Sequence, residues 1–531
     1  MSKAMARRII VCYFFITVAM FLVIMRVINV AFDPRLTAAA KTSSQKSVAV
    51  IYERGTIFDC NMKPITNNEE RYVSVITDIP KASVTLSKRL GERRAAELLR
   101  GVREGSEPIV YTDCEIRGEG IVSFKYYATN LRFAKHLIGY TDSTSHGVSG
   151  LEAALDEVLY SDSDARLSYT TDGIGNIISG EEISFLRKNG IEQSGIQLTL
   201  DSQIQKIAEA AADSLDFGAV VIAEAATGEI KAMVSRPDFD LGNLSAALNS
   251  DGSPLINRAL LTYNVGSGFK PLVAAAALES GVNNYLWFCE GSCDIDGQRF
   301  VCHKSSGHKW LDMAGAIKHS CNTFFYNLAV NVGARKIYKM AETAGFNNSV
   351  SLGYGFSSEP AQIGSEKWLS TSDRALANLA IGQGELMVSP LGILSLYSAI
   401  ASDGSYTPLS LIRGRVEGAK LCDELPKNAR VRLMSEKTAK TLREHLLGVL
   451  DEGGTGHIAK PKYVSAAGKT STAQTGIIKD GKRVVNTWFC GFFPFDEPKY
   501  VVSVLAENSE EGCGAVFAEI ADNITKLKAS A

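Results

Sequence analysis

Between Ile9 and Met25 this chain of 531 residues carries no charge, and that uncharged run of 17 residues constrains everything after it. Extended past Arg26 by Val27 to Phe32, the run is long enough to cross a hydrocarbon core of about 30 Å as one helix. Lys3, Arg7 and Arg8 precede it. The positive-inside tendency then puts the N-terminus in the cytoplasm and everything after residue 33 outside, with Arg26 snorkelling to the outer interface. A cleaved signal peptide would have a shorter apolar core, and the nearest small-x-small site, Ala38-Ala39-Ala40, lies far beyond this one. An uncleaved anchor over residues 1–32 is expected, at the cell membrane and single-pass.

Three short strings further along carry chemistry. The first lies in "YNVGSGFKPLVAAAALESG". A turn at Gly266-Ser267-Gly268 leads into an Ala-rich run with helix propensity up to Gly281, a C′ residue. Residues three apart share a helix face, so Lys270 returns beside Ser267, and Pro271 is tolerated in a first turn. A serine hydroxyl attacks poorly unless a neighbour takes its proton, and a lysine does so only where burial or a nearby cation keeps it neutral. The helix N-terminus adds N–H donors for a developing oxyanion. The same Ser-x-x-Lys spacing at Ser43/Lys46 and Ser306/Lys309 reads as solvated polar residues.

The second string, Ser320-Cys321-Asn322, falls just before an aromatic-rich helix start in "MAGAIKHSCNTFFYNLAV". Ser320 can relay a proton toward a leaving amine while the Asn322 amide holds a substrate carbonyl and the lysine. Alone, the pair also reads as an N-cap and a first-turn residue. The third string, Lys469-Thr470-Ser471, sits in the β-rich "YVSAAGKTSTAQTG", followed by an Asp480-Gly481 turn and the strands "NTWFCGFFPF" and "YVVSVLAEN". Lys469, Thr470 and Thr472 would offer a charge and donors to an anionic substrate terminus, and a backbone N–H near Thr472 would complete an oxyanion hole with that of Ser267. A phosphate loop is excluded, because Tyr463 stands where its first glycine must be.

The ordered set Ser-x-x-Lys, Ser-x-Asn, Lys-Thr-Gly resembles the penicillin-recognising serine enzymes, the penicillin-binding proteins and serine β-lactamases. "GAVVIAEAATGEIKAMVSRPDFD" is similar to the opening hairpin of their transpeptidase domain, "INRALLTYNVGSGFKP" to the approach to the nucleophile, "LAIGQGELMVSP" to the Gly-Gln-Gly segment and "DEGGTGHIAK" to the Gly-Thr-Gly loop. "ERGTIFD" and "HGVSGLEAALDEVL" resemble the two ends of the noncatalytic pedestal of class B penicillin-binding proteins. Two positions depart from the pattern. Ser471 replaces the glycine of Lys-Thr-Gly, so its hydroxymethyl either points away or narrows the site. Cys60 replaces an arginine after "RGTIFD", which touches only a pedestal contact.

Composition agrees with a globular protein of two to four domains, at 45% hydrophobic and 21% charged residues. With a net charge of −2 and no clustered Lys/Arg, no nucleic-acid surface is expected. Among ten cysteines, Cys289, Cys293 and Cys302 cluster, and a Cys289–Cys302 disulfide is plausible in an extracytoplasmic compartment. His303 and His308 lie close by, yet the spacing fits no common zinc pattern. Cys321 reads as a small packed residue. Neither a metal nor an organic cofactor is expected.

The expected fold is α+β. It comprises an anchor (1–32), a mixed pedestal (33–200) with a charged helix near "SKRLGERRAAELLRGV", and a serine β-lactamase-like transpeptidase domain (201–531). In that domain "LTLDSQIQKIAEAAADSL" reads as a strand passing through an Asp201 N-cap into a helix. Strands near 217–235 would pair with those after Lys462, a helical insert would carry the first two motifs, and the last helix would cover the antiparallel sheet. The resemblance implies a peptidoglycan D,D-transpeptidase. Ser267 would attack a stem peptide ending in D-Ala-D-Ala with Lys270 as base, Ser320 and Lys469 would protonate the leaving amine, Asn322 would orient, and Thr470, Ser471 and Thr472 would line the carboxylate site. β-Lactams would acylate Ser267, and a multispanning glycan polymerase is the implied partner. A D,D-carboxypeptidase or β-lactamase would use the same residues with water as acceptor. A β-lactam sensor would carry several spans. A scaffold with a site ruined by Ser471 is the non-enzymatic alternative.

Overall fold

The computed structural model describes residues 3–35, 42, 44–105, 107–178, 180–187, 194–479, 481–509 and 512–529. Ser43, the Ala38–Ala40 site and Asp480 lie outside the described residues. The chain divides into two compact units, one made of residues 1–53, 69–128 and 161–189, the other of residues 54–68, 129–160 and 190–531.

In the first unit the uncharged run lies within α1 (Lys3–Ala31), a helix of 29 residues with no buried side chain and enough length and hydropathy to cross a membrane. Strand Glu69–Ile76 pairs antiparallel with both Ile109–Thr112 and Ile121–Ala128. Its partners across the core are two helices rather than the single charged helix expected from sequence. Ile79–Leu90 and Glu92–Glu104 break at Gly91, whose φ of 85° lies in the left-handed region. Each helix buries its Ala/Leu stripe, Ala82 with Leu86 and Ala95 with Leu99, against Val110 and Ile121.

The second unit is built on one five-stranded sheet. Helix α2 (Ser202–Ala212) starts where Asp201 accepts the N–H groups of Gln203 and Ile204 at 2.9 and 3.4 Å. β1 (Gly218–Glu224) and β2 (Ile230–Arg236) form a hairpin. A long helical insert follows, with α3 (Lys270–Glu279), α4 (Met313–Lys318), α5 (Asn322–Val332) and α6 (Glu436–Leu450). The chain then returns through β3 (Ala467–Lys479), β4 (Lys482–Phe493) and β5 (Tyr500–Ala506) and ends in α7 (Cys513–Ala529). The strand order is β2-β1-β5-β4-β3, antiparallel throughout, so the hairpin near residue 220 pairs with the end of the chain, Val220 opposite Val504.

Strand period fixes the two faces of this sheet. On β4, Phe489 and Phe493 pack on Phe517 of α7, with ring centroids 4.5 and 6.0 Å apart, while Trp488 points the other way and donates to the Asn264 carbonyl at 3.1 Å. Burying each phenylalanine contributes about 1.5–3 kcal/mol, and both faces are covered, which is why β1 reads as a continuous apolar run. β3 closes the sheet as an edge, and an edge strand keeps backbone N–H and C=O groups for another chain.

The two stretches that resemble pedestal ends pack within this second unit. Thr56–Phe58 runs parallel to Gly195–Leu198. Arg54 forms buried ion pairs with Glu152 at 2.5 Å and Asp156 at 2.7 Å, tying "ERGTIFD" to "HGVSGLEAALDEVL". Cys60, in the place of the arginine, is half-buried, and burial pushes its thiol up to about 11.

Candidate active site

Ser267 sits in a 3₁₀ turn, Gly266–Phe269, that runs directly into α3, and the Lys270 N–H donates to the Ser267 carbonyl. Neighbouring segments hold this turn on several sides. The Gly266 N–H donates to the Gly382 carbonyl at 2.9 Å, the Tyr397 hydroxyl to the Gly268 carbonyl at 3.1 Å, and the Asn264 amide to the Leu386 carbonyl at 2.7 Å. Gly266 has a φ of 60°, and a Cβ there would stand 2.6 Å from the Thr472 carbonyl oxygen, so only glycine lets β3 run this close to the nucleophile. The Gly-Gln-Gly segment therefore serves as a backing plate, a role sequence reading left unassigned.

Lys270 is fully buried. Its Nζ donates to the Ser320 carbonyl at 2.7 Å, to Ser320 Oγ at 3.1 Å and to Asn322 Oδ1 at 2.7 Å, and it lies 5.6 Å from the Phe325 ring centroid. Burial pushes this amine down to about 7. Three of the predicted residues thus meet at one nitrogen, one helical turn from Ser267. Ser320 does not cap α5; Cys321 occupies that position. Ser320 instead has a φ of 54°, a left-handed conformation uncommon for a residue with a Cβ, and this turns both its carbonyl and its hydroxyl toward Lys270.

On the strand side Lys469 is likewise fully buried, with Nζ 2.9 Å from the Thr470 carbonyl. Burial, and then the charge of Lys270, hold it well below the ordinary lysine range. The Thr470 hydroxyl donates to Thr455 Oγ1 at 2.9 Å, which joins β3 to the Gly-Thr-Gly loop. Thr472 is exposed on the edge. Ser471 is buried and donates to the Val265 carbonyl at 2.5 Å. Its hydroxymethyl therefore faces the nucleophile turn, whereas sequence reading had placed it among the substrate contacts. Strand alternation puts Lys469 and Ser471 on one side and Thr470 and Thr472 on the other, but only the fold shows which side faces Val265.

The cysteines depart from expectation. Cys289 and Cys302 form no disulfide; all ten cysteines are free thiols. Cys321, expected to be mere packing, joins Cys289, Cys302 and His308 in a cluster whose ligand atoms all lie within 4.8 Å of one another. Sequence reading named Cys289, Cys302 and His308 as neighbours and missed Cys321 as a fourth; the four side chains form a set that could hold a metal ion. The four residues come from three segments with no Cys-x-x-Cys knuckle among them, so their spacing matches no common zinc pattern.

Residues 218–526 match the family described as the penicillin binding protein transpeptidase domain. The chain is 28% identical over 539 residues to stage V sporulation protein D of Bacillus subtilis, covering 93% of this chain and 80% of that one. It is 29% identical over 409 residues to the probable peptidoglycan D,D-transpeptidase PenA of Neisseria gonorrhoeae, covering 73% of this chain and 66% of the relative. Among solved structures it shares the fold of penicillin-binding protein 3 of Mycobacterium tuberculosis complexed with aztreonam, with a TM-score of 0.66 at 23% identity over 91% of this chain and 97% of that one. The match spans more than half the sequence and contains all three motif strings, so the chain belongs to the penicillin-binding protein transpeptidase family, in its class B branch.

Proposed function

We propose that this protein is a membrane-anchored peptidoglycan D,D-transpeptidase whose acyl-enzyme forms on Ser267. One observation carries the reading: Lys270, with no exposed surface and an amine pushed down to about 7, stands one helical turn from the serine with its Nζ held on Ser320 and Asn322. Neutral, it keeps two of its three donated bonds, and the lone pair so freed takes the Ser267 proton as Oγ attacks the penultimate D-Ala carbonyl carbon. The N–H groups of Ser267 and of the strand near Thr472 receive the oxyanion. Collapse breaks the peptide bond, and the terminal D-Ala leaves with a proton delivered through Ser320 and Lys469. An amine from a second stem peptide then attacks the ester, gives up a proton to the same relay and restores Ser267. Thr470 and Thr472 hold the terminal carboxylate, and Asn322 keeps Lys270 in place.

The edge position of β3 supports this assignment, because an extended stem peptide can add to it as a further strand. An anionic carboxylate there would favour a charged Lys469 and, by repulsion, a neutral Lys270. β-Lactams present a similar carbonyl and carboxylate and would acylate the same oxygen. Functionally, residues 1–32 serve as anchor, 33–200 as pedestal and 201–531 as catalyst. Lys3, Arg7 and Arg8 before the span support a cytoplasmic N-terminus and an extracytoplasmic catalytic unit. A multispanning glycan polymerase is the partner we assign to the pedestal and anchor.

Labelling with a fluorescent penicillin tests the reading. The unaltered chain should hold a stable label and Ser267→Ala none. Rapid turnover of the label would point to a β-lactamase, and an unlabelled wild type to a scaffold. With a pentapeptide donor and an amine acceptor, release of D-Ala should accompany cross-linked product rather than hydrolysed donor.

A further inference from the structure

Cys289 ends the strand Trp287–Cys289 and lies opposite Lys309, the residue after His308. Cys302 follows the strand Gln298–Val301, and Cys321 caps α5. Two glycines allow these segments to converge. A Cβ on Gly307 would lie 2.1 Å from the Cys289 carbonyl oxygen and one on Gly291 would lie 2.0 Å from that of Ser305, and both glycines have positive φ. The three thiols are buried, with Cys289 and Cys321 wholly inaccessible.

The distances match donors around a common centre. The Cys302 and Cys321 sulfurs are 3.9 Å apart, and His308 Nδ1 lies 3.6 Å from the Cys289 sulfur and 3.7 Å from that of Cys302. Tetrahedral zinc with Zn–S near 2.3 Å and Zn–N near 2.0–2.1 Å implies edges of about 3.8 Å between sulfurs and about 3.6 Å between sulfur and nitrogen. A disulfide would bring two sulfurs to about 2.05 Å and leave the third thiol and the imidazole unexplained. Three thiolates and an imidazole in a closed tetrahedron suit zinc over the hard cations.

We propose that Cys289, Cys302, Cys321 and His308 bind one zinc ion, and that this ion locks the Ser320–Asn322 peptide in the conformation that holds Lys270. The mechanical link is short. Cys321 lies between the two residues whose oxygens accept from Lys270, and its sulfur is 3.9 Å from that of Cys302. The locking step rests on the acyl-transfer reading above; the metal site does not.

Elemental analysis of the full chain in detergent tests the site. About one zinc per chain is expected, falling below a tenth of that in Cys321→Ser and His308→Ala and staying whole in Cys293→Ser and Cys422→Ser. Ligand variants can misfold, so the unaltered chain is also stripped with a chelator and refilled with cobalt(II), which should give the charge-transfer and d–d bands of a tetrahedral thiolate site. Purified chain that takes up neither metal, or that carries a disulfide among these three cysteines, overturns the proposal. Stripping should slow penicillin labelling at least about tenfold, reversibly on adding zinc. Full-rate labelling of the stripped chain overturns the locking role. Ser267→Ala should lose label yet keep its zinc, which separates failure of this site from failure of the acyl-transfer reading.

Discussion

Lys270 and Lys469 have the same burial and opposite surroundings. The first, on the helical side of the site, meets three oxygens from another segment; the second, on the strand side, bonds within its own strand, to Thr470. Burial lowers both amines. On the helical side the fold itself supplies the acceptors, so the geometry of the base is set before any ligand arrives. On the strand side the amine and the flanking threonines keep capacity for an incoming anion. Preorganised chemistry and open recognition are thus divided between two closely packed elements, with Ser471 of β3 bonding the Val265 carbonyl just before the nucleophile turn.

The strongest way to break this division is Lys270→Met, which keeps the volume and removes the base. Acylation by a fluorescent penicillin should fall about 10²–10⁴-fold, the usual contribution of a general base. A loss no larger than that of a strand-side variant would show that the two sides are not distinct. Stability should move the other way. The folded amine sits near 7 against 10.5 in the ordinary lysine range, so the unfolded chain binds the extra proton between those values and stability from this group grows as pH rises through that window. Lys270→Met should therefore raise Tm more at pH 6 than at pH 9.

The same assignment fixes the pH profile. Only the neutral amine accepts the Ser267 proton, so acylation should rise with pH through about 7 and fall about tenfold for each unit below it. A rate flat from pH 5 to 8 would remove Lys270 from the role of base.

How much of this was legible beforehand follows from the range of the interactions. Ser267 and Lys270 are set by one turn and one helix, and β3 by β-branched residues and a hairpin, so local pattern sufficed for each string. Gly91 splits a helix that charge and propensity alone would continue. Ser320 was recognised by its type, but its left-handed backbone depends on what α4, α5 and Lys270 require together. Cys289, Cys302 and His308 stood out as neighbours in sequence, but Cys321 joins them only after three segments fold. Ser471 posed a question of facing that strand alternation raises and cannot answer without knowing what covers each face.

Ser471→Ala sharpens the contact between the two sides. It keeps the Cβ and leaves the Val265 carbonyl without its donor, which costs about 1–3 kcal/mol when a buried acceptor loses its partner. Tm should drop, and acylation should slow about fivefold to tenfold as the turn bearing Ser267 loosens, with the slowing in the rate constant rather than in penicillin affinity. Faster acylation at unchanged Tm would mean instead that the hydroxymethyl obstructs substrate.

The smallest expected effect belongs to Thr455→Val. This change removes the hydroxyl that receives the Thr470 hydrogen bond and donates a long one, 3.4 Å, to the Lys318 carbonyl, at an exposed position where water can replace both, so the net loss is about 0.5–1.5 kcal/mol. Because Thr470 belongs to the recognition side, the loss should appear as an apparent affinity for penicillin weakened about twofold to fivefold, with the limiting acylation rate and its pH midpoint unchanged. The outcome that contradicts the division is a shifted midpoint. It would mean that the Gly-Thr-Gly loop reaches the base, either through Lys469, whose amine feels the Lys270 charge, or through the Lys318 carbonyl that Thr455 bonds two residues before Ser320. Measuring rate against concentration at several pH values separates the two cases, and it asks of the smallest perturbation whether binding and proton transfer are set by different elements.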